Sequence, residues 1–169
     1  MAGLVVEPLT DEHDIASFDC GNRDLTGWLH NHARHAAGQG TRSYALIEAG
    51  HQEVLGYFAL APHLIEREDL RRRVGRGAPR QVPAILLAKL ALHTRLQGQG
   101  LGRELLIWAL STVVDAARVA GGKVVVVDAI DDAAAAFYEA HDFSTVPHNP
   151  RRLVMKLSTA AKALGLSWP

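Results

Sequence analysis

The apolar positions of the chain fall into short blocks whose spacing assigns an element to each. Leu4 to Leu9 suits a first strand, and Asp19-Cys20-Gly21-Asn22 is turn chemistry in which Asp19 or Asn22 caps a following helix. Leu25, Trp28, Leu29 and His32 then recur at helical spacing, up to a stop near Gly38-Gln39-Gly40. Arg42 to Ala49 and Val54 to Ala61 are apolar runs joined by a short connection, which predicts a hairpin. Ala84 to Leu92 is a strand with Lys89 as its one charge, and Leu101 to about Val119 repeats as a helix with Leu101, Leu105, Trp108 and Thr112 on one face. Lys123 to Val127 is apolar on both faces, as a central strand with neighbours on each side must be. Asp131 or Asp132 opens an alanine-rich helix ending near His141, and Phe143 to Val146 and Arg152 to Leu157 form the last two strands. The tail, residues 158–169, is weakly patterned and reads as a peripheral helix or as disordered.

Strands dominate early, while strand and helix alternate later, so the fold class is α/β: a mixed sheet flanked by helices. At 169 residues the chain fits one domain, residues 1–157, followed by the tail. Formal net charge is zero, so any affinity for nucleic acid must come from a local patch. Cys20 is the only cysteine, which rules out an intrachain disulfide and fits a reducing compartment. The N-terminus lacks a basic region followed by an apolar one, and the longest apolar runs are too short to span a bilayer, so the expectation is a cytosolic protein with no membrane partner.

Two stretches depart from ordinary patterning. Glu66 to Arg80, EREDLRRRVGRGAPR, holds six arginines against three acids, and reads as a short helix and mobile loop inserted between strands. Arg95 to Leu106, RLQGQGLGRELL, puts Gly98, Gly100 and Gly102 at alternate positions just before a helix. A strand, a glycine-rich turn and a helix N-terminus make an anion site, because the first helical N–H groups lack partners and glycine lets the backbone approach a phosphate. A P-loop requires Lys-Ser or Lys-Thr after the glycines, which is absent, and the dinucleotide fingerprint fails at Arg103. The pattern Arg/Gln-x-x-Gly-x-Gly/Ala fits Arg95 to Gly100 without a gap.

That segment resembles motif A of the GNAT superfamily of N-acetyltransferases, which bind the pyrophosphate of acetyl-CoA in this turn. LAKLALHTRLQGQGLGRELL is similar to the family's fourth strand, pyrophosphate loop and following helix, and VVVVDAIDDAAAAFYEAHDF to its fifth strand and fourth helix. With FDCGNRDLTGWLHNHA and YFALAP, the order of motifs resembles the GNAT toxins of toxin–antitoxin pairs, which acetylate the α-amine of aminoacyl-tRNA and stop translation. The resemblance implies a central twisted, mostly antiparallel sheet flanked by helices. It implies that the backbone of Leu90, Ala91 and Leu92 pairs with the pantetheine arm. It also implies that Gln97, Gly98, Gln99, Gly100, Leu101, Gly102 and Arg103 hold the pyrophosphate. Asp131 and Phe137 join the cofactor set on the same basis, although an N-cap role explains Asp131 equally well.

Tyr138 is the residue the family uses as general acid. A phenol with an ordinary pKa of about 10 can protonate a leaving thiolate, while the alternative is an aromatic packed on the sheet. No general base stands out; Glu48, Glu53 and His93 are candidates only by type. An aminoacyl ester needs none of them if esterification leaves much of its amine unprotonated. Arg71, Arg72, Arg73, Arg76 and Arg80 supply the cationic surface that an RNA backbone requires, against the alternative of a solvated loop paired with Glu66, Glu68 and Asp69. Arg34, Arg42, Arg151 and Arg152 are candidate extensions. HNHARH, residues 30–35, lacks a tetrahedral ligand set, so no metal is expected, and Cys20 reads as structural.

The expectation is therefore direct acetyl transfer from acetyl-CoA to aminoacyl-tRNA by a homodimeric toxin neutralised by a ribbon-helix-helix antitoxin. The alternatives are an acetyltransferase for a protein or small-molecule amine, and a non-catalytic RNA-binding module that retains the coenzyme A fold.

Overall fold

The computed structural model describes residues 3–169. Seven strands, β1 (Leu4–Pro8), β2 (Arg42–Glu48), β3 (Gly56–Glu66), β4 (Gln81–Leu92), β5 (Val124–Asp128), β6 (Ser144–Val146) and β7 (Asn149–Lys156), hydrogen-bond in the order β1-β2-β3-β4-β5-β7-β6. The β1–β2, β2–β3, β5–β7 and β6–β7 pairs are antiparallel and β4–β5 is parallel. A parallel pair needs a crossover, and the 20-residue helix α4 (Leu101–Ala120) supplies it. The register of β4 with β5 runs only from Ala84↔Val124 to Leu87↔Val127. Chain contacts gather into two compact units, one of residues up to Ala61 with Ala88–Ala109, the other of Pro62–Leu87 with Leu110–Pro169.

In the first unit Phe18, Leu29, Ala45, Val54 and Tyr57 pack into one core, with Leu25 and Trp28 half-buried against it. Asn22 caps α1 (Arg23–Asn31) by accepting the Leu25 N–H at 2.9 Å, a contact worth about 1 kcal/mol. The single helix expected from Leu25 to Gly38 is two helices. The chain breaks at His32 and resumes as α2 (Ala33–Ala37). The break turns Ala33 into the core and leaves His32 exposed, so His32 does not share the face of Leu25 and Leu29. Arg34 holds the new direction by donating to the carbonyls of Thr10 and His13 at 3.0 and 2.8 Å.

The expected hairpin is β2–β3, but β3 runs on to Glu66, and β4 starts at Gln81 rather than Ala84. Both boundaries expected from sequence fall at prolines. Pro62 and Pro83 are exposed within strands, and Pro83 still contributes its carbonyl, which accepts the Lys123 N–H at 2.8 Å. Alternation of exposed Gln81 and Pro83 with buried Val82 and Ala84 continues through the proline.

In the second unit Ile65, Leu70, Val82, Val124, Val126 and Val154 form the core, and all four valines of β5 are buried, as a central strand requires. The buried stripe of α4 passes through Leu105, Leu106, Ala109, Leu110, Val113, Val114 and Ala117. The predicted face lies at its margin: of its members only Leu105 is buried, and Trp108 is 42% exposed. Helix α5 spans Asp132–Ala140, and α6 (Leu157–Ala163) buries Leu157, Ala160 and Ala161, so the tail belongs to the packed unit. The arginine-rich segment forms a 3-10 turn (Arg67–Asp69) and the one-turn helix α3 (Arg72–Gly75). Its ends are closed by Arg67, whose N–H donates to Arg80 O at 2.8 Å and whose guanidinium donates to Ala78 O at 2.9 Å. No described helix is long and apolar enough to cross a membrane.

Candidate active site

In the first unit β4 ends in a 3-10 turn, Thr94–Leu96, and then four residues lead into α4. Buried Leu96 anchors this turn, and the His93 ring caps it by accepting the Arg95 N–H at 3.3 Å. Gln97 fixes the start of the glycine loop. Its N–H donates to Thr94 O at 3.1 Å, and its side-chain amide donates to Cys20 O and Leu92 O, both at 2.8 Å. Gln97 therefore holds the loop and has no N–H left for a ligand. Gly98, Gln99 and Gly100 make no backbone donation among the described residues.

Gly98 (φ 76°) and Gly100 (φ 79°) adopt the left-handed conformation that favours glycine. A Cβ added at either would meet nothing within 4 Å, so this turn faces open space. Helix α4 begins at Leu101, and its first N–H groups and dipole add partial positive charge. Arg103, exposed and without an ion pair among the described residues, adds a full charge. The residues of the turn thus fit a pyrophosphate. Leu90 is half-buried, and Ala91 and Leu92 are buried. Gly56 lies so close that its Cβ would come within 3.2 Å of Ala91 O.

Two of the three base candidates are engaged, Glu48 making no side-chain hydrogen bond or ion pair among the described residues. Glu53 pairs with Arg95, and the Nε2 of His93 lies 3.3 Å from Ser17 O. Cys20 is buried, with its thiol 3.3 Å from the Thr26 hydroxyl. Within the HNHARH stretch, His30 Nε2 lies 2.9 Å from Phe18 O.

In the second unit Tyr138 sits on α5, where Asp131 is the N-cap and accepts the Ala134 N–H at 2.8 Å. Of the two roles open to Asp131, the structure shows capping. The Tyr138 ring is 6% exposed and packs edge-on against Phe137 and Phe143, with centroids 5.3 and 5.4 Å away. Burial pushes its phenol well above the ordinary value, so it holds its proton. Its hydroxyl has no hydrogen-bond partner among the described residues. Among the described residues only the Ser43 hydroxyl is fully buried without a partner, so the unpartnered Tyr138 oxygen keeps some access to solvent, as a group that meets a substrate requires. Phe137, half-buried, stacks obliquely on His141 at 4.5 Å.

The arginines divide into two sets. Arg71 is exposed but committed, donating to the Thr145 carbonyl at 2.8 Å and hydroxyl at 3.2 Å. Arg72, Arg73, Arg76 and Arg80 are exposed and make no ion pair with Glu66, Glu68 or Asp69 among the described residues. Arg72, Arg76 and Arg80 line a concavity of about 850 Å³ with Glu66, Arg67 and Glu68. Arg34, Arg42 and Arg151, considered as extensions of this surface, donate instead to protein carbonyls or carboxylates.

Arg152, the fourth such extension, belongs to a cluster that the sequence did not reveal, since its members lie on three strands. It grips Asp128 with two 2.8 Å hydrogen bonds and donates to His63 Nε2 at 3.3 Å. The Arg152 guanidinium holds the Asp128 carboxyl below its usual range. Burial, then the Arg152 charge, lowers the His63 pKa, which keeps that imidazole neutral.

Comparison with known proteins adds to this geometry. A family model described as an acetyltransferase (GNAT) domain matches residues 40–145. A tRNA-acetylating toxin of Mycobacterium tuberculosis (strain ATCC 25618 / H37Rv) is 35% identical over 159 residues, covering 93% of this chain and 94% of the relative. AtaT complexed with acetyl-methionyl-tRNAfMet superposes with a TM-score of 0.85 at 29% identity, covering 95% of this chain and 98% of that one. AtaTR bound with AcCoA gives 0.82 at 29% identity, covering 96% and 99%.

Proposed function

Because the chain belongs to the GNAT acetyltransferase family, we propose that it is a toxin that transfers acetyl from acetyl-CoA to the α-amine of aminoacyl-tRNA and so blocks translation. The observation that carries this conclusion is the match, over 93% of the chain, to a tRNA-acetylating toxin.

Acetyl-CoA supplies the acetyl thioester. The N–H groups of Gly98 through Arg103 bind its pyrophosphate at the head of α4, and the backbone of Leu90 to Leu92 pairs with the pantetheine arm. Gln97 positions that turn from behind. The α-amine attacks the thioester carbon directly, a C–N bond forms as the C–S bond breaks, and the Tyr138 hydroxyl passes its proton to the departing sulfur. The proton shed by the new amide nitrogen goes to solvent, from which the phenolate is reprotonated. Tyr138 is protonated at neutral pH with or without burial, and burial, which raises its pKa, makes it the weaker acid, so the role rests on the family match and not on that shift. Residues 1–157 carry this chemistry. Arg72, Arg73, Arg76 and Arg80 meet tRNA phosphates, a contribution that salt weakens. The protein acts in the cytoplasm as a homodimer and is silenced by a ribbon-helix-helix antitoxin.

Incubation with radiolabelled acetyl-CoA and either charged or uncharged tRNA tests the assignment. Label on charged tRNA alone is the expected result. Label confined to protein or polyamine overturns it.

A further inference from the structure

In the second unit the segment after α6 folds back. Leu166 N–H donates to Ala161 O at 2.8 Å, and Arg118 donates to the Ser167 carbonyl and hydroxyl at 3.1 and 3.0 Å. Arg118 is itself held by Asp115, one turn earlier on α4. This double hold sets half-buried Trp168 in a cleft of about 220 Å³ whose walls include Arg76, Lys123, Lys156 and Ser158. None of the three cations has an ion pair or a side-chain hydrogen bond among the described residues. Arg76 also lines the arginine concavity, so the two hollows share one residue.

Three like charges around a small cleft repel one another, and no acid side chain lines it to relieve them. Their natural counterpart is an anion. Half-buried Trp168 among the walls adds a second preference, for a flat π-system beside that anion, which a nucleotide supplies in one unit and an acidic peptide only where an aromatic residue adjoins the acid. We propose that this cleft is a nucleotide subsite for single-stranded RNA: the Trp168 indole stacks on an unpaired base while Arg76, Lys123 and Lys156 take the flanking phosphates. The Ser158 hydroxyl donates to one of those phosphates. Arg76 carries the strand on to Arg72 and Arg80, making one track from tail to arginine segment. This subsite rests on the tRNA assignment above and extends it to residues outside the arginine segment.

Fluorescence anisotropy of labelled, charged tRNA over a range of salt concentrations tests it. Trp168→Ala weakens binding about tenfold at every salt concentration and leaves the salt slope unchanged, because stacking is not ionic. Trp168→Phe retains most of the affinity. Lys123→Gln/Lys156→Gln, which does not touch the tail, reduces the slope of log K against log salt by about 1.5. Thermal melts of each variant guard against misfolding. Unchanged affinity and slope in all variants, from a protein whose wild type acetylates charged tRNA, overturn the subsite and leave the substrate assignment standing. A wild type that neither binds nor acetylates charged tRNA overturns both. Polyglutamate binding that these variants abolish, with tRNA affinity intact, gives the cleft to an acidic peptide and overturns the subsite.

Discussion

The side-chain amide of Gln97 donates to the carbonyl of Leu92 at 2.8 Å, tying the glycine turn to the end of the strand that precedes it. The same nitrogen reaches Cys20 O at 2.8 Å, so one side chain joins three separate stretches of backbone. Gln97→Ala leaves both carbonyls short of a donor, which costs about 1–2 kcal/mol of stability. The expected kinetic result is a rise of about tenfold in KM for acetyl-CoA with a much smaller change in kcat, since Gln97 orders the loop and touches no reacting atom. Steady-state kinetics with acetyl-CoA varied distinguishes this outcome from a fall in kcat.

Tyr138→Phe removes a hydroxyl that has no partner among the described residues and keeps the ring against Phe137 and Phe143. The variant is about as stable as wild type, because no hydrogen bond within the protein is lost. Its kcat falls about 10²–10⁴-fold, the usual share of general acid catalysis, while acetyl-CoA affinity measured by calorimetry is unchanged. Full activity would remove Tyr138 from the mechanism.

Gly100→Ala forces a side chain onto a residue at φ 79°. A Cβ there clashes with nothing in the free protein, so the cost is backbone strain alone, about 1–2 kcal/mol. Acetyl-CoA binding weakens as well, because the methyl group stands where the pyrophosphate must approach. Melting curves with and without acetyl-CoA separate the two effects: wild type gains more in Tm from the ligand than the variant does.

Stability falls toward acid in two windows. His63 has a folded pKa below its unfolded value of about 6.5. The unfolded chain therefore binds more protons there, and stability is full above that value and lost as pH falls through the folded one. Asp128 follows the same sign, in the window below its unfolded value of about 3.9. With its side chain 51% exposed, the Asp128–Arg152 pair contributes no more than about 1 kcal/mol. Urea titrations from pH 7 to pH 3 check both: His63→Gln flattens the upper window relative to wild type, and Asp128→Asn the lower one.

How much of this was legible in the sequence differs by element. The glycine turn, the capped helix bearing Tyr138 and the central valine strand were readable because each is local: neighbours a few residues apart determine it. Prolines misled where tertiary pairing overrode local preference, so β3 and β4 extend through Pro62 and Pro83. The break at His32 was hidden because both halves keep helical spacing, and it is held by Arg34 bonds to distant carbonyls. The arginines all look alike in sequence. Only three dimensions separate Arg71, spent on Thr145, from Arg72 and Arg76, which are unpaired among the described residues. The cluster of His63, Asp128 and Arg152 and the cleft around Trp168 had no sequence signal, since segments far apart in the chain assemble them.

The unused hydroxyl of Tyr138 bears on selection. Under the toxin assignment proposed above, cells that survive by disarming the protein have few routes that leave it intact. Under that assignment, core lesions or broken turns yield misfolded chains that are degraded and no longer occupy an antitoxin. Tyrosine and phenylalanine codons differ by one base, and the exchange at residue 138 keeps every ring contact. Survivors of that kind carry an abundant, folded, inactive protein, and a protein of that kind remains available to sequester antitoxin from any active copy in the same cell.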